Sequence, residues 1–142
     1  MSGRLFVVLL VFFSLPVRAD TLTFSNAWIR ATPPGAVTAA AYVDINNTGE
    51  DDTLLALQWE GTGQLEIHTI EHRDGMMRML RQDALPVPSG QLTQLAPGAQ
   101  HFMFVGLARG FAAGDSVSLI LIFQQAGERK VSFPVVDARE QR

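Results

Sequence analysis

Residues 65–80 read Leu-Glu-Ile-His-Thr-Ile-Glu-His-Arg-Asp-Gly-Met-Met-Arg-Met-Leu, and this stretch decides the fold. Its centre, Asp74-Gly75, is the strongest short hairpin signal, because a type I′ loop needs positive φ at both central residues and Asp-Gly tolerates that well. Leu65 to His72 and Met76 to Leu80 are the strands on either side. With a two-residue loop, Arg73 opposes Met76, His72 opposes Met77, Ile70 opposes Met79 and His68 opposes Arg81. Cross-strand partners share a face, so His68, His72, Met77 and Met79 project to one side, with Met79 diagonal to His68. A three- or five-residue loop reverses the parity and sends Met79 to the other side from His68.

The same pattern extends along the chain in both directions. Leu22 to Ile29, Ala40 to Ile45, Leu54 to Trp59, Gln91 to Leu95, His101 to Leu107, Val117 to Phe123 and Val131 to Val136 are short apolar or alternating runs that read as strands. Turn residues separate them: Pro33-Pro34-Gly35, Asn46-Asn47-Thr48-Gly49, Gly61-Thr62-Gly63, Pro86 to Gly90, Pro97-Gly98, Ala113-Gly114-Asp115 and Ala126-Gly127. No stretch sustains a 3.6-residue apolar period, nothing repeats, and no linker divides the chain. The expectation is an all-β, single-domain antiparallel β-sandwich of two sheets.

The first 19 residues stand apart. Arg4 gives a short positive start, Leu5 to Leu15 is an apolar run interrupted only by Ser14, and Val17-Arg18-Ala19 suits a cleavage site. This reads as a secretory signal peptide over residues 1–19, cleaved after Ala19, and residues 20–142 as the mature domain. The alternative is an uncleaved anchor, although the run is short for a bilayer core of about 30 Å. Cleavage would remove Arg4 and Arg18 and take the net charge from -3 to -5.

Several function classes are excluded by composition. The chain has no cysteine, which rules out disulfides, thiolate zinc, iron-sulfur clusters and cupredoxin copper sites that need a Cys ligand. A single lysine, Lys130, and a negative net charge leave no basic stripe for nucleic acid. Gly61 and Gly63 lack the third glycine and helix of a dinucleotide fingerprint. No serine sits in a nucleophile elbow, so no hydrolase chemistry is visible and the chain is not expected to be an enzyme.

The His and Met residues are unevenly placed. Past the signal there are three His (His68, His72, His101) and four Met (Met76, Met77, Met79, Met103), all between positions 68 and 103. Imidazole nitrogen with thioether sulfur suits Cu(I), since soft sulfur favours a soft monovalent ion and neither donor adds charge. In His101-Phe102-Met103-Phe104-Val105, alternation puts His101 and Met103 on one face and the two Phe on the other, where they can fill a core. A Met on a strand more often fills a core than binds a metal, and Met76 and Met77 are read that way. His72, beside a polar turn, reads as a surface residue, and Arg78 and Arg81 as a solvated face.

The spacing His68, ten residues, Met79, twenty-one residues, His101, one residue, Met103 resembles the H-x10-M-x21-H-x-M signature of the periplasmic copper chaperone family, PCuAC type. Further matches lie along nearly the whole mature chain. They include Ala27-Trp28-Ile29-Arg30-Ala31-Thr32-Pro33-Pro34-Gly35, Ala41-Tyr42, Glu66-Ile67-His68, Asp74-Gly75-Met76-Met77-Arg78-Met79 and Pro97-Gly98. The resemblance implies a cupredoxin-like, Greek-key β-sandwich that holds one Cu(I) through His68, Met79, His101 and Met103. It also implies a periplasmic monomer without a membrane span in its mature chain. The copper would pass to an acceptor such as an oxidase copper subunit or a thiol-bearing assembly factor. The end of the chain, Asp137-Ala138-Arg139-Glu140-Gln141-Arg142, has no His or Met for a second site. Two other readings of the same residues are a metal-free interaction module and a copper redox protein, the latter opposed by the missing cysteine.

Overall fold

A computed structural model describes residues 20–141, so the expected signal peptide lies outside the described residues. Ten strands follow in chain order: β1 Leu22–Arg30, β2 Thr38–Asn47, β3 Asp52–Gln58, β4 Gln64–Arg73, β5 Met76–Gln82, β6 Leu85–Val87, β7 Gln91–Leu95, β8 His101–Val105, β9 Ser116–Phe123 and β10 Gly127–Val136. A single 3₁₀ turn, Ala138–Gln141, completes the described chain.

The first sheet runs β5-β4-β8-β2-β1, and the second β10-β9-β3-β6. Two residues of parallel pairing, Ile29 with Val135 and Arg30 with Val136, join β1 to β10 at one side. Strand β2 is long enough to serve two partners in turn, β8 along Thr38–Ala41 and β7 along Val43–Asn47. The other strand pairings in both sheets are antiparallel.

Period-2 alternation builds the core between the sheets. The first sheet contributes Ile29, Val43, Ile45, Phe102 and Phe104, and the second Leu54, Leu119, Leu121, Phe133 and Val135, all essentially without solvent contact. Phe102 meets Phe133 across the interface with ring centroids 6.5 Å apart, and Phe24 meets Phe123 at 6.0 Å. Each such side chain gains about 1.5–3 kcal/mol from burial, so the alternation of β8 fixes which face of that strand looks outward.

The β4–β5 register is the one a two-residue loop dictates. Arg73 pairs with Met76, His72 with Met77, Ile70 with Met79 and His68 with Arg81. The loop residues Asp74 and Gly75 have φ of 52° and 73°, the left-handed pair that a type I′ turn requires.

Three local readings change. Leu85–Val87 forms a strand that the sequence hides, because Pro86 punctuates it like a turn; β6 is the edge of the second sheet, where a missing N–H can be tolerated. Strand β8 stops at Val105, two residues earlier than expected, because Gly106 turns the chain at φ 77°. Met76 and Met77 are not core filler: they are 56% and 63% exposed on a hairpin that extends past the sandwich edge. His72 is on the surface as expected.

Candidate metal centre

Strands β5, β4 and β8 lie side by side, and the inward turn of Ile67, Phe102 and Phe104 commits their alternate residues to the outer face. Glu66, His68 and Ile70 of β4 therefore share that face with His101 and Met103 of β8 and with Met77, Met79 and Arg81 of β5. The ladder sets their relative positions. His68 is directly opposite His101, and Glu66 directly opposite Met103. On the other side His68 is opposite Arg81, and Ile70 opposite Met79. The four residues expected as ligands thus occupy one face of three adjacent strands. The two His form a cross-strand pair, Met103 lies next to His101 along β8, and Met79 is diagonal to His68.

The two imidazoles are held differently. His101 is buried, and its Nδ1 sits 3.0 Å from the Ala99 carbonyl oxygen. A carbonyl only accepts, so Nδ1 carries the proton and Nε2 keeps its lone pair. His68 is mostly buried and places Nε2 2.7 Å from Glu66 Oε2. Its Nδ1 is shielded from solvent and has no hydrogen-bond partner among the described residues. The other carboxylate oxygen of Glu66 lies 3.5 Å from Arg81 Nη1.

The His rings continue a row of rings across the sheet. His68 and His101 have centroids 5.6 Å apart, His101 and Tyr42 6.3 Å, and Tyr42 and Trp28 4.6 Å. Trp28 and Tyr42 are buried and close one side of the His pair. The opposite side is open: Met79 is 58% exposed on β5, the edge strand of the sheet.

This donor set has a definite chemical preference. Among the described residues no three of His, Asp and Glu gather around a common point that could hold a metal. Hard ions such as Ca²⁺ and Mg²⁺ rely on several oxygen ligands, and the one carboxylate on this face, Glu66, is engaged by His68 and Arg81. A soft ion that accepts imidazole and thioether fits the residues, and the partnerless buried Nδ1 of His68 is the kind of lone pair such an ion satisfies.

Sequence reasoning missed the role of two residues on this face. Glu66 was visible only as a neighbour of His68, though the i, i+2 spacing on a strand is itself the signal for a shared face. Arg81 is largely exposed, as a solvated residue is expected to be, yet its guanidinium lies 3.5 Å from Glu66. Arg78, on the other face of β5, is exposed as expected.

Comparison with known proteins agrees with this architecture. The family described as "Putative lipoprotein LpqE-like" matches residues 22–135. The "Putative lipoprotein Lxx21020" of Leifsonia xyli subsp. xyli is 30% identical over 122 residues, covering 84% of this chain and 72% of that protein. Among solved structures, the copper-bound PCuAC domain from PmoF2 superposes with a TM-score of 0.69 at 22% identity, over 83% of this chain and 94% of that one. The solution structure of CuI-DR1885 from Deinococcus radiodurans gives 0.65 at 25% identity, over 82% of this chain and 78% of that one. The fold is accordingly the cupredoxin-like β-sandwich of PCuAC domains. The chain belongs to the LpqE-like family, which is PCuAC-related.

Proposed function

We propose that this protein is a Cu(I) metallochaperone that carries one ion per chain on His68, Met79, His101 and Met103 and hands it to an acceptor. The observation that carries this reading is the placement of all four residues on one outer face, with His68 and His101 directly paired and each retaining one nitrogen lone pair. Solved relatives of the same fold described as copper-bound and as CuI-bound support it.

Copper is cargo in this scheme, so no bond in a substrate is made or broken and the protein acts as a carrier rather than an enzyme. Four neutral donors leave the single positive charge of Cu(I) uncompensated by ligands, which favours retention without irreversible capture. Met79 is the outermost donor, on a strand with one free edge. A donor from the acceptor displaces Met79 first while both imidazoles still hold the ion, and the transfer proceeds by ligand exchange without release of free copper. The acceptor class is an oxidase copper subunit or a thiol-bearing assembly factor, met in the periplasm by a monomeric carrier. The lipoprotein descriptions of the family and of its relative support an exported protein, and among the described residues no helix is long and apolar enough to cross a membrane.

Anaerobic titration of the purified protein with Cu(I) against a chromophoric chelator tests the reading. One equivalent withdrawn from the chelator is the expected result. No competition at all would exclude the carrier function.

A further inference from the structure

We propose that Glu66 is a positioning residue that fixes the two imidazoles of the site in opposite tautomers. Glu66 holds His68 in its Nε2–H form so that Nδ1 faces the copper, while Ala99 holds His101 in its Nδ1–H form so that Nε2 does. The proposal rests on the copper reading above and assigns the donor atom of each His.

The argument starts from what each partner can accept. An ionised carboxylate offers only acceptors, so the 2.7 Å contact between Glu66 Oε2 and His68 Nε2 requires a proton on that nitrogen. A neutral imidazole has one N–H, which leaves Nδ1 as the lone pair, and Nδ1 is the atom that is buried without a partner. At His101 the same logic runs in reverse, since the Ala99 carbonyl accepts from Nδ1 at 3.0 Å. The second oxygen of Glu66 has the exposed Arg81 guanidinium 3.5 Å away as an ion-pair partner. Arg81 and His68 thus converge on Glu66, one on each carboxylate oxygen, and the carboxylate determines the proton position of the His68 ring. A carboxylate behind a metal-bound imidazole orients the ring and raises its basicity. Here it also contributes a negative charge beside a site whose proposed ligands are all neutral.

This arrangement makes an unusual demand on an isosteric change. In Glu66→Gln the side chain keeps its size but loses its charge and gains an NH₂, so it no longer offers His68 acceptors alone and the Nε2–H form loses its preference. With the NH₂ toward the ring, Nε2 accepts, the proton moves to Nδ1, and the copper-facing lone pair is lost. A residue that merely filled space would tolerate the exchange.

The test is long-range ¹H–¹⁵N NMR of the imidazoles in the metal-free protein at pH 7.5, combined with Cu(I) competition titrations of wild type, Glu66→Gln and Glu66→Ala. Expected are an Nε2–H signature for His68 and an Nδ1–H signature for His101 in wild type. Glu66→Gln should move His68 alone toward Nδ1–H and lower Cu(I) affinity roughly 10–100-fold, the range found when a partner behind a metal ligand is removed. Glu66→Ala should lower affinity similarly with His101 unchanged. An Nδ1–H signature for His68 in the wild type, or wild-type Cu(I) affinity in Glu66→Gln, overturns the proposal. If the wild type binds no Cu(I), the copper reading falls and the donor assignment with it, while the tautomer spectra of the metal-free protein still decide whether Glu66 orients His68.

Discussion

His68 and His101 face each other as register partners on neighbouring antiparallel strands, with ring centroids 5.6 Å apart. The pair is set by the β4–β8 ladder, which also buries Ile67 against Phe102 on the reverse side. Replacing either His by Ala should weaken Cu(I) binding by at least about tenfold, as for loss of a direct metal ligand or its support. Both variants should also lose stability, about 1–3 kcal/mol each, because both rings are largely buried and hydrogen-bonded, His101 to Ala99 and His68 to Glu66. Chelator competition and thermal melts separate the two effects. Wild-type Cu(I) affinity in either variant would remove that His from the site.

Met79 is 58% exposed, which separates binding from folding cleanly. Met79→Ala should leave stability within about 0.5 kcal/mol of wild type, as for most surface changes, yet reduce Cu(I) affinity. Met76→Ala, on the other face of the same strand and 56% exposed, should change neither. Met103→Ala should weaken binding as Met79→Ala does. If Met76→Ala and Met79→Ala lower affinity equally, the ligand assignment is wrong.

The pair Arg73–Met76 that closes the Asp74-Gly75 loop, and the count of residues from it to Met79, set which face Met79 occupies. One residue inserted between Met77 and Arg78, with the Asp74-Gly75 loop and its Arg73–Met76 closing pair intact, moves Met79 one position along the ladder and so to the other face, since the side-chain period of a strand is two. Copper affinity should fall to the level of Met79→Ala. The melting temperature should barely move, because β5 is exposed along its whole length and contributes nothing to the core. Unchanged affinity in this variant would mean that Met79 is not a ligand.

Protons compete with copper for imidazole nitrogen, so Cu(I) affinity should decrease from pH 7.5 to pH 5. The direction follows from the imidazole lone pair, which binds either a proton or the metal; thioether sulfur has no such competitor. A double variant lacking both His should retain only weak binding with a flat pH profile. A flat profile in the wild type would remove the imidazoles from the site.

The core strands were legible because alternation is strong where one face is buried, as in His101 to Val105, and because Asp-Gly determines its own loop length. The face shared by His68 and Met79 followed from that loop and the residue count on either side of it. What the sequence hid was set by neighbours distant along the chain. Strand β6 exists because Leu85 and Val87 find a place beside β3, and Pro86 conceals it. The burial of His101 comes from Tyr42 and the flanking strands, and no local pattern announces it. The contact of Arg81 with Glu66 spans two strands, so only the ladder register could reveal it. Met76 and Met77 depart from the covered face that apolar residues on a strand normally imply, because the hairpin here runs out beyond the sandwich.

That overhang has a kinetic consequence. From Glu71 through Gln82 the ribbon is exposed on both faces, while Ile67 and the Phe residues of β8 are locked in the core. Amide hydrogens of the ribbon should exchange through local opening at a small fraction of the global unfolding free energy. The strand that bears Met79 can therefore peel and reseat many times while the strands bearing the His pair stay fixed. The time allowed for cargo exchange is then set by the fraying of one hairpin, and the lifetime of the folded protein does not limit it.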